Sequence, residues 1–149
     1  MNVLMVCLGN ICRSPMAEGI LRHKVSTHHL DWDVDSAGTG SWHIGQPPDH
    51  RAQAAMRVHG LDISGLRARQ FSKSDFDRFD LILTMDNENY RDVIQLAGFP
   101  DHKNKVKPIL DYAFPGQHRG VPDPYFNDRF QEVYNLLDAS CEELIKSFV

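Results

Sequence analysis

The stretch Val3-Leu4-Met5-Val6-Cys7-Leu8-Gly9-Asn10-Ile11-Cys12-Arg13-Ser14-Pro15 constrains the fold more than any other part of the chain. The unbroken apolar run from Val3 to Val6 reads as a strand buried on both faces, the habit of a parallel sheet. Ser14 followed by Pro15 reads as a helix N-cap and first helical position. Met16, Ala17, Ile20, Leu21 and Val25 then continue as an apolar stripe. Strand, tight loop and helix in immediate succession open an α/β unit. The loop ends at a helix N-terminus, where backbone N–H groups and the positive end of the helix dipole converge and favour an anion.

That loop carries its own chemistry. A thiol at the mouth of an anion site is favoured as thiolate, because the neighbouring partial charges are positive, which makes Cys7 a candidate nucleophile. The planar fork of Arg13 can grip two oxygens of a tetrahedral oxyanion. Gly9 permits a backbone turn that other residues resist, and Asn10 tolerates a left-handed conformation. With both in place, successive amides of the loop can point inward as an anion nest. The Ser14 hydroxyl is placed either to cap the helix or to donate to the Cys7 thiolate.

Further along, Trp32 to Ala37 reads as a strand nearer an edge, Phe79 to Met85 as another buried strand, and Val106 to Leu110 as a last strand at an edge, because Pro108 cannot donate to a ladder. Ala52, Ala55, Met56 and His59 suit a helix stopped by Gly60, and Tyr90, Val93, Ile94 and Ala97 space another closed by Gly98 and Pro100. From Phe126 onward, apolar residues recur at three- and four-residue steps through Phe148, the clearest amphipathic helix in the chain. Strands alternating with helices imply an α/β fold: a doubly wound, mostly parallel four-stranded sheet flanked by helices on both faces, with the active loop after the first strand. The 149 residues fit one domain, 1–149, with no repeat and no linker.

A net charge of −4 argues against a general nucleic-acid binder, and no run approaches the length of a membrane helix. Three cysteines and a short apolar opening with no preceding basic residue point to a reducing cytoplasm rather than secretion. The eight histidines are scattered, and the His28-His29 pair lacks the spacing of a structural zinc set. The first strand–helix turn also lacks the G-x-G-x-x-G of a nicotinamide enzyme. The expectation is therefore no metal and no cofactor.

Cys7-Leu8-Gly9-Asn10-Ile11-Cys12-Arg13-Ser14-Pro15-Met16-Ala17-Glu18 resembles the signature of the low-molecular-weight protein tyrosine phosphatases. Asp123-Pro124 near the C-terminus resembles the second signature of that family, and Ser36-Ala37-Gly38, Ala68-Arg69-Gln70 and Met85-Asp86 extend the similarity through nearly the whole chain. The resemblance implies Cys7 as nucleophile forming a cysteinyl-phosphate, and Arg13 with the amides of Leu8 to Ser14 holding the equatorial oxygens. It implies Asp123 as the acid that protonates the leaving tyrosyl oxygen. Pro122 and Pro124 restrict the backbone on either side of Asp123. Trp42, Tyr125 and Phe126 match positions that wall the substrate cleft; each ring could instead belong to the core. Tyrosine-phosphorylated proteins are the expected partners, inorganic phosphate and other oxyanions the expected inhibitors, and a monomer the expected state.

Three readings compete on the same chain. An arsenate reductase on this scaffold needs further cysteines near the segment after the third strand, and Thr84-Met85-Asp86-Asn87-Glu88-Asn89 has none. In phosphoarginine phosphatases the residue matching Ile11 resembles a threonine, whose hydroxyl suits a guanidinium; Ile11 has no such handle. A non-catalytic oxyanion-binding module would need neither Cys7 nor Asp123. One departure from the family pattern stands out: where many members have a His supporting the loop Asn, this chain has Leu66. Either another group holds Asn10 or the loop is less firmly fixed. Cys12, five residues after Cys7, is either a redox partner for it or a small side chain packed under the loop.

Overall fold

The computed structural model describes residues 1–149. In chain order the elements are β1 (Asn2–Cys7), α1 (Arg13–Thr27), β2 (Asp33–Gly38), α2 (His50–Arg57), α3 (Asp75–Arg78), β3 (Leu81–Thr84), α4 (Asn87–Leu96), α5 (Pro100–Asn104), β4 (Val106–Pro108), α6 (Pro124–Asn127) and α7 (Phe130–Phe148), with one 3₁₀ turn at Ile109–Asp111. The four strands form one sheet in the order β2-β1-β3-β4, and every neighbouring pair is parallel. The expected edge positions of β2 and β4 and the central place of the Val3–Val6 run all hold.

Side-chain alternation along β1 explains its apolar sequence. Val3, Met5 and Cys7 face one core cluster with Met16, Ile20, Leu21, Leu137, Leu144 and Ile145 from α1 and α7. Leu4 and Val6 face the other, with Ile82, Val93, Phe71 and Phe76. A strand flanked by helices on both sides has no polar face to show, so every residue from Val3 to Cys7 is buried. The α7 stripe behaves as its periodicity implies: Phe130, Val133, Leu137, Cys141, Leu144 and Ile145 are all buried. Phe148 at its end is half exposed and rests edge-on against Trp32 at 5.5 Å.

The strand order reverses between β1 and β3, so the crossovers from these neighbours run to opposite faces of the sheet. Such a switch point leaves a crevice beyond the carboxyl ends of the two strands, where α/β proteins hold ligands. Cys7 ends β1, and Met85-Asp86 follow β3. The topology alone therefore brings these two segments to one place.

Three expectations change. The first helix starts at Arg13, with Cys12 at the cap and no side-chain capping bond, so Ser14 is not the N-cap and Pro15 is the third helical residue. Proline costs nothing there, because its N–H would still lack an intrahelical partner. The C-terminal helix starts at Phe130, and Phe126 belongs to the separate four-residue helix α6, ended by Asp128 in a left-handed conformation (φ 56°). The short helices α3 and α5 are additions. No helix is long and apolar enough to cross a membrane.

Candidate active site

The loop from Cys7 to Arg13 turns on one residue. Asn10 takes φ 57°, whereas Gly9 has no positive φ, so the turn rests on the asparagine alone. Gly9 matters for space: a Cβ there would lie 3.2 Å from Cδ2 of His43. The Asn10 conformation aims its own N–H at Cys7 Sγ, at 3.3 Å.

A buried hydrogen-bond chain runs back from the thiol. Arg69 N–H, which can only donate, meets Asn10 Oδ1 at 3.0 Å and so fixes which end of the side-chain amide is oxygen. Asn10 Nδ2 then donates both protons, to Ser14 Oγ at 2.7 Å and to Ser36 Oγ at 3.0 Å. Ser14 Oγ already accepts from Asn10, so its own proton is free for Cys7 Sγ at 3.0 Å. Ser36 passes its proton on to Glu18 Oε1 at 2.7 Å. The thiol sulfur thus accepts from the Asn10 N–H and shares a hydrogen bond with the Ser14 hydroxyl, whose proton is not taken by any other acceptor.

This chain also answers the Leu66 departure. Leu66 packs half-buried against the core, and the support it cannot give comes from Ser36 and the Arg69 backbone. Arg69 is itself held: its guanidinium pairs with fully buried Asp75 at 3.1 Å and with Asp35 at 3.0 Å. The loop is firmly fixed by groups outside the signature.

Arg13 is buried, its side chain only 4% exposed. Its Nη1 donates to Asp86 Oδ2 at 2.6 Å and to the Val121 carbonyl at 3.0 Å, and Nη2 lies 3.6 Å from Asp123 Oδ2. Burial alone would make the guanidinium easier to deprotonate; the charges of Cys7, Asp86 and Asp123 outweigh it and hold the group above its ordinary value. Asp86 does two jobs, because its other oxygen caps α4 by accepting from Asn89 N–H at 2.8 Å. Asp123 is likewise an N-cap: Oδ1 accepts from Tyr125 N–H at 3.1 Å, with Pro124 at the first helical position of α6. The cap anchors one carboxyl oxygen and leaves the other toward Arg13.

A cleft of about 210 Å³ opens above these groups. Cys7, Leu8, Gly9, Ile11, Cys12 and Arg13 form its floor, Trp42, His43, Tyr125 and Phe126 its walls, and Asp123 its rim. Trp42 is 67%, Tyr125 45% and Phe126 82% exposed, so none of the three rings is core. The Trp42 ring lies directly over Gly40, where a Cβ would come within 2.0 Å of it. Asn10 and Ser14 do not line the cleft; their side chains sit behind the loop in the bonds just described. Cys12 is buried at the floor, where desolvation and then the charges of Asp49 and Cys7 push its thiol well above the ordinary value. No group of three or more His, Cys, Asp or Glu side chains converges to hold a metal.

Sequence reasoning missed Asp86 as an Arg13 partner, Ser36 and Arg69 as supports of Asn10, and His43 as a wall. Asp86 ahead of α4 carries a readable capping signal. Nothing in the sequence marks a backbone N–H such as that of Arg69 for service to a residue 59 positions away.

A buried arginine, a thiol engaged in two hydrogen bonds and an acid on the rim of a ring-walled cleft form a centre suited to splitting phosphate esters. The family model described as low molecular weight phosphotyrosine protein phosphatase matches residues 2–149. Low molecular weight protein-tyrosine-phosphatase YfkJ of Bacillus subtilis is 45% identical over 148 residues, covering 98% of this chain and 94% of the relative. Among solved structures, a protein tyrosine phosphatase from Entamoeba histolytica with Hepes in its active site superposes with a TM-score of 0.93 at 37% identity, over 99% of this chain and 96% of the other. A Drosophila arginine phosphatase superposes at 0.92 with 38% identity, over 99% and 98%. The chain belongs to the low molecular weight phosphotyrosine protein phosphatase family, hydrolases that act on phosphoproteins.

Proposed function

We propose that residues 1–149 act as a single phosphatase domain that hydrolyses phosphotyrosine in proteins through a cysteinyl-phosphate on Cys7. The observation that carries this reading is the convergence on one cleft of Cys7 Sγ, the Arg13 guanidinium and the free oxygen of Asp123. Cys7 attacks phosphorus in line, and the S–P bond forms as the P–O bond to the tyrosyl oxygen breaks. Arg13 and the loop amides hold the equatorial oxygens, and Asp123 gives its proton to the departing oxygen. Water then attacks the cysteinyl-phosphate, Asp123 takes a proton from it, and phosphate and the thiolate are released. All of these groups come from the chain itself, so no cofactor is required. Inorganic phosphate and similar oxyanions compete for the same cradle. A monomer in the cytoplasm, where a reducing environment keeps Cys7 usable, completes the reading.

A ring-walled cleft suits a phenyl ring, and phosphoserine is too short to bring its phosphorus to Cys7 through it. The similarity to an arginine phosphatase makes phosphoarginine the rival. Ile11, which lines the cleft, favours phosphotyrosine: its apolar branch would leave guanidinium donors unpaired at about 1–3 kcal/mol per group. In competition between matched phosphopeptides, phosphotyrosine is expected to win over both phosphoarginine and phosphoserine by at least about tenfold in kcat/KM. Phosphoarginine or phosphoserine winning overturns the assignment.

Oxidation gives a second expectation. Hydrogen peroxide converts a thiolate to a sulfenic acid; Cys12, whose burial holds its thiol protonated, is the poorer target, and its place in the same loop and cleft makes it the candidate resolving thiol. Condensation of the Cys7 sulfenic acid with the Cys12 thiol releases water and forms a disulfide that dithiothreitol reverses. The Cys12→Ser variant is therefore expected to regain clearly less activity than wild type after peroxide and then dithiothreitol. Equal recovery would show that Cys12 only fills space under the loop.

A further inference from the structure

Asp123 sits in a segment that must hold its carboxyl over the cleft although the stretch around it has almost no core of its own. Its N-terminal side is pinned by Val121, whose N–H donates to the Met85 carbonyl at 2.7 Å and whose carbonyl accepts from Arg13 at 3.0 Å. On its C-terminal side, Tyr125 and Phe126 are exposed. Pro124 is buried and Phe130 re-enters the core; the exposed stretch between them is tied back by Arg51 in the first turn of α2.

Arg51 divides its guanidinium between two places. Nε donates to Asp49 Oδ1 at 3.1 Å and Nη2 to Asp49 Oδ2 at 3.2 Å, a bidentate grip on the residue that caps α2. Nη1 pairs with Asp128, the left-handed residue that ends α6, and Nη2 also reaches the Tyr125 carbonyl at 3.3 Å. The group lies over the Tyr125 ring at 5.4 Å and over Phe130, the first residue of α7, at 4.9 Å. Asp49 is tied in turn to the phosphate loop, its N–H donating to the Ile11 carbonyl at 2.8 Å. Arg51 thus joins the loop that carries the nucleophile to the segment that carries the acid.

We propose that Arg51 is a positioning residue that locks Tyr125 and Asp128 so that Asp123 stays in reach of the leaving oxygen. The inference rests on Asp123 being the proton donor. The side chains of Arg51 and Asp128 are 41% and 74% exposed, and ion pairs so exposed add little to fold stability. Their effect therefore falls on the placement of the acid, where a displacement of about 1 Å is enough to slow a reaction severely.

The test measures kcat/KM for phenyl phosphate and 2,4-dinitrophenyl phosphate in Arg51→Ala, Asp128→Asn, Asp123→Asn and the double variant Arg51→Ala/Asp123→Asn. Asparagine tolerates the left-handed conformation of residue 128, so Asp128→Asn removes the charge without disturbing the turn. Arg51→Ala is expected to lose about tenfold on the poor leaving group and less than about twofold on the good one, with vanadate inhibition unchanged. Asp128→Asn follows the same pattern to a lesser degree. Because Arg51 acts through Asp123, the double variant is expected to be no slower on phenyl phosphate than Asp123→Asn alone. Equal losses on both esters, a further loss in the double variant, or full activity of both Arg51→Ala and Asp128→Asn each overturn the proposal. If Asp123→Asn itself loses equally on both esters, the proton-donor reading fails first and takes this one with it.

Discussion

Cys7→Ser is expected to abolish turnover while leaving oxyanion binding largely intact. Serine puts an oxygen where the sulfur stands, and its hydroxyl remains un-ionised under conditions in which a thiolate forms, so the covalent intermediate has no nucleophile to build on. The rest of the site loses nothing. Arg13 keeps its bonds to Asp86 and Val121, the Asn10 chain is anchored at Ser36 and Arg69 rather than at the sulfur, and a smaller atom at position 7 crowds no neighbour. Vanadate or phosphate binding, read by calorimetry, should stay within a few-fold of wild type. Steady-state hydrolysis above about one part in 10³ of wild type would overturn the covalent mechanism, because the oxyanion cradle alone would then be supplying the rate.

The parts of this fold that sequence reveals are those where burial leaves no choice. Val3 to Val6 must be apolar on both faces to lie between two layers of helices, so β1 was legible from composition alone. The α7 stripe was equally plain because a long helix repeats its pattern enough times to be counted. By contrast, α3, α5 and α6 have only four or five residues each, too few for a period to show; they exist because caps and tertiary contacts favour one turn of helix. The shift of the first helix start from Pro15 to Arg13 has a similar cause. Ser14 carries the side chain of an N-cap, but its hydroxyl is claimed by Asn10 and Cys7, and tertiary bonds displace the local motif.

In the candidate site, the residues proposed to do the chemistry are legible in the sequence and the residues that hold them are not. Cys7, Arg13 and Asp123 announce themselves through the signatures; the cleft geometry brings them together as those signatures imply. Leu66 leaves two readings open in the sequence, another support for Asn10 or a looser loop, because no neighbouring residue marks a substitute donor. The substitute lies in Ser36 on β2 and in the backbone of Arg69, whose guanidinium is held by a fully buried carboxylate. A network spread over β2, the 69–75 segment and α1 is set by packing and leaves no contiguous motif. Gly9 shows the opposite error: the glycine invited a conformational reading, while the left-handed turn fell on Asn10 and the glycine serves the approach of His43.

Loss of the Asp123 carboxyl should separate substrates by their leaving groups. A phenolate of pKa about 10 leaves poorly at neutral pH, and a positioned acid that protonates it removes most of that difficulty. Asp123→Asn is the sharpest variant, because asparagine is as good an N-cap as aspartate and can still accept from Tyr125 N–H. The α6 turn and the cleft walls then stay in place while the transferable proton is gone. Phenyl phosphate should lose roughly 10²-fold or more in kcat/KM, the usual scale of general acid catalysis. The loss should shrink steadily as electron-withdrawing groups are added, and nearly vanish for 2,4-dinitrophenyl phosphate. The ratio kcat/KM is the right quantity, since it covers only the steps through cleavage of the P–O bond. kcat also contains hydrolysis of the cysteinyl-phosphate, where Asp123 acts as base whatever ester was used. A loss of the same size across the series would mean that the carboxylate serves to orient Arg13, from which it lies 3.6 Å away, and that the leaving oxygen takes its proton from elsewhere.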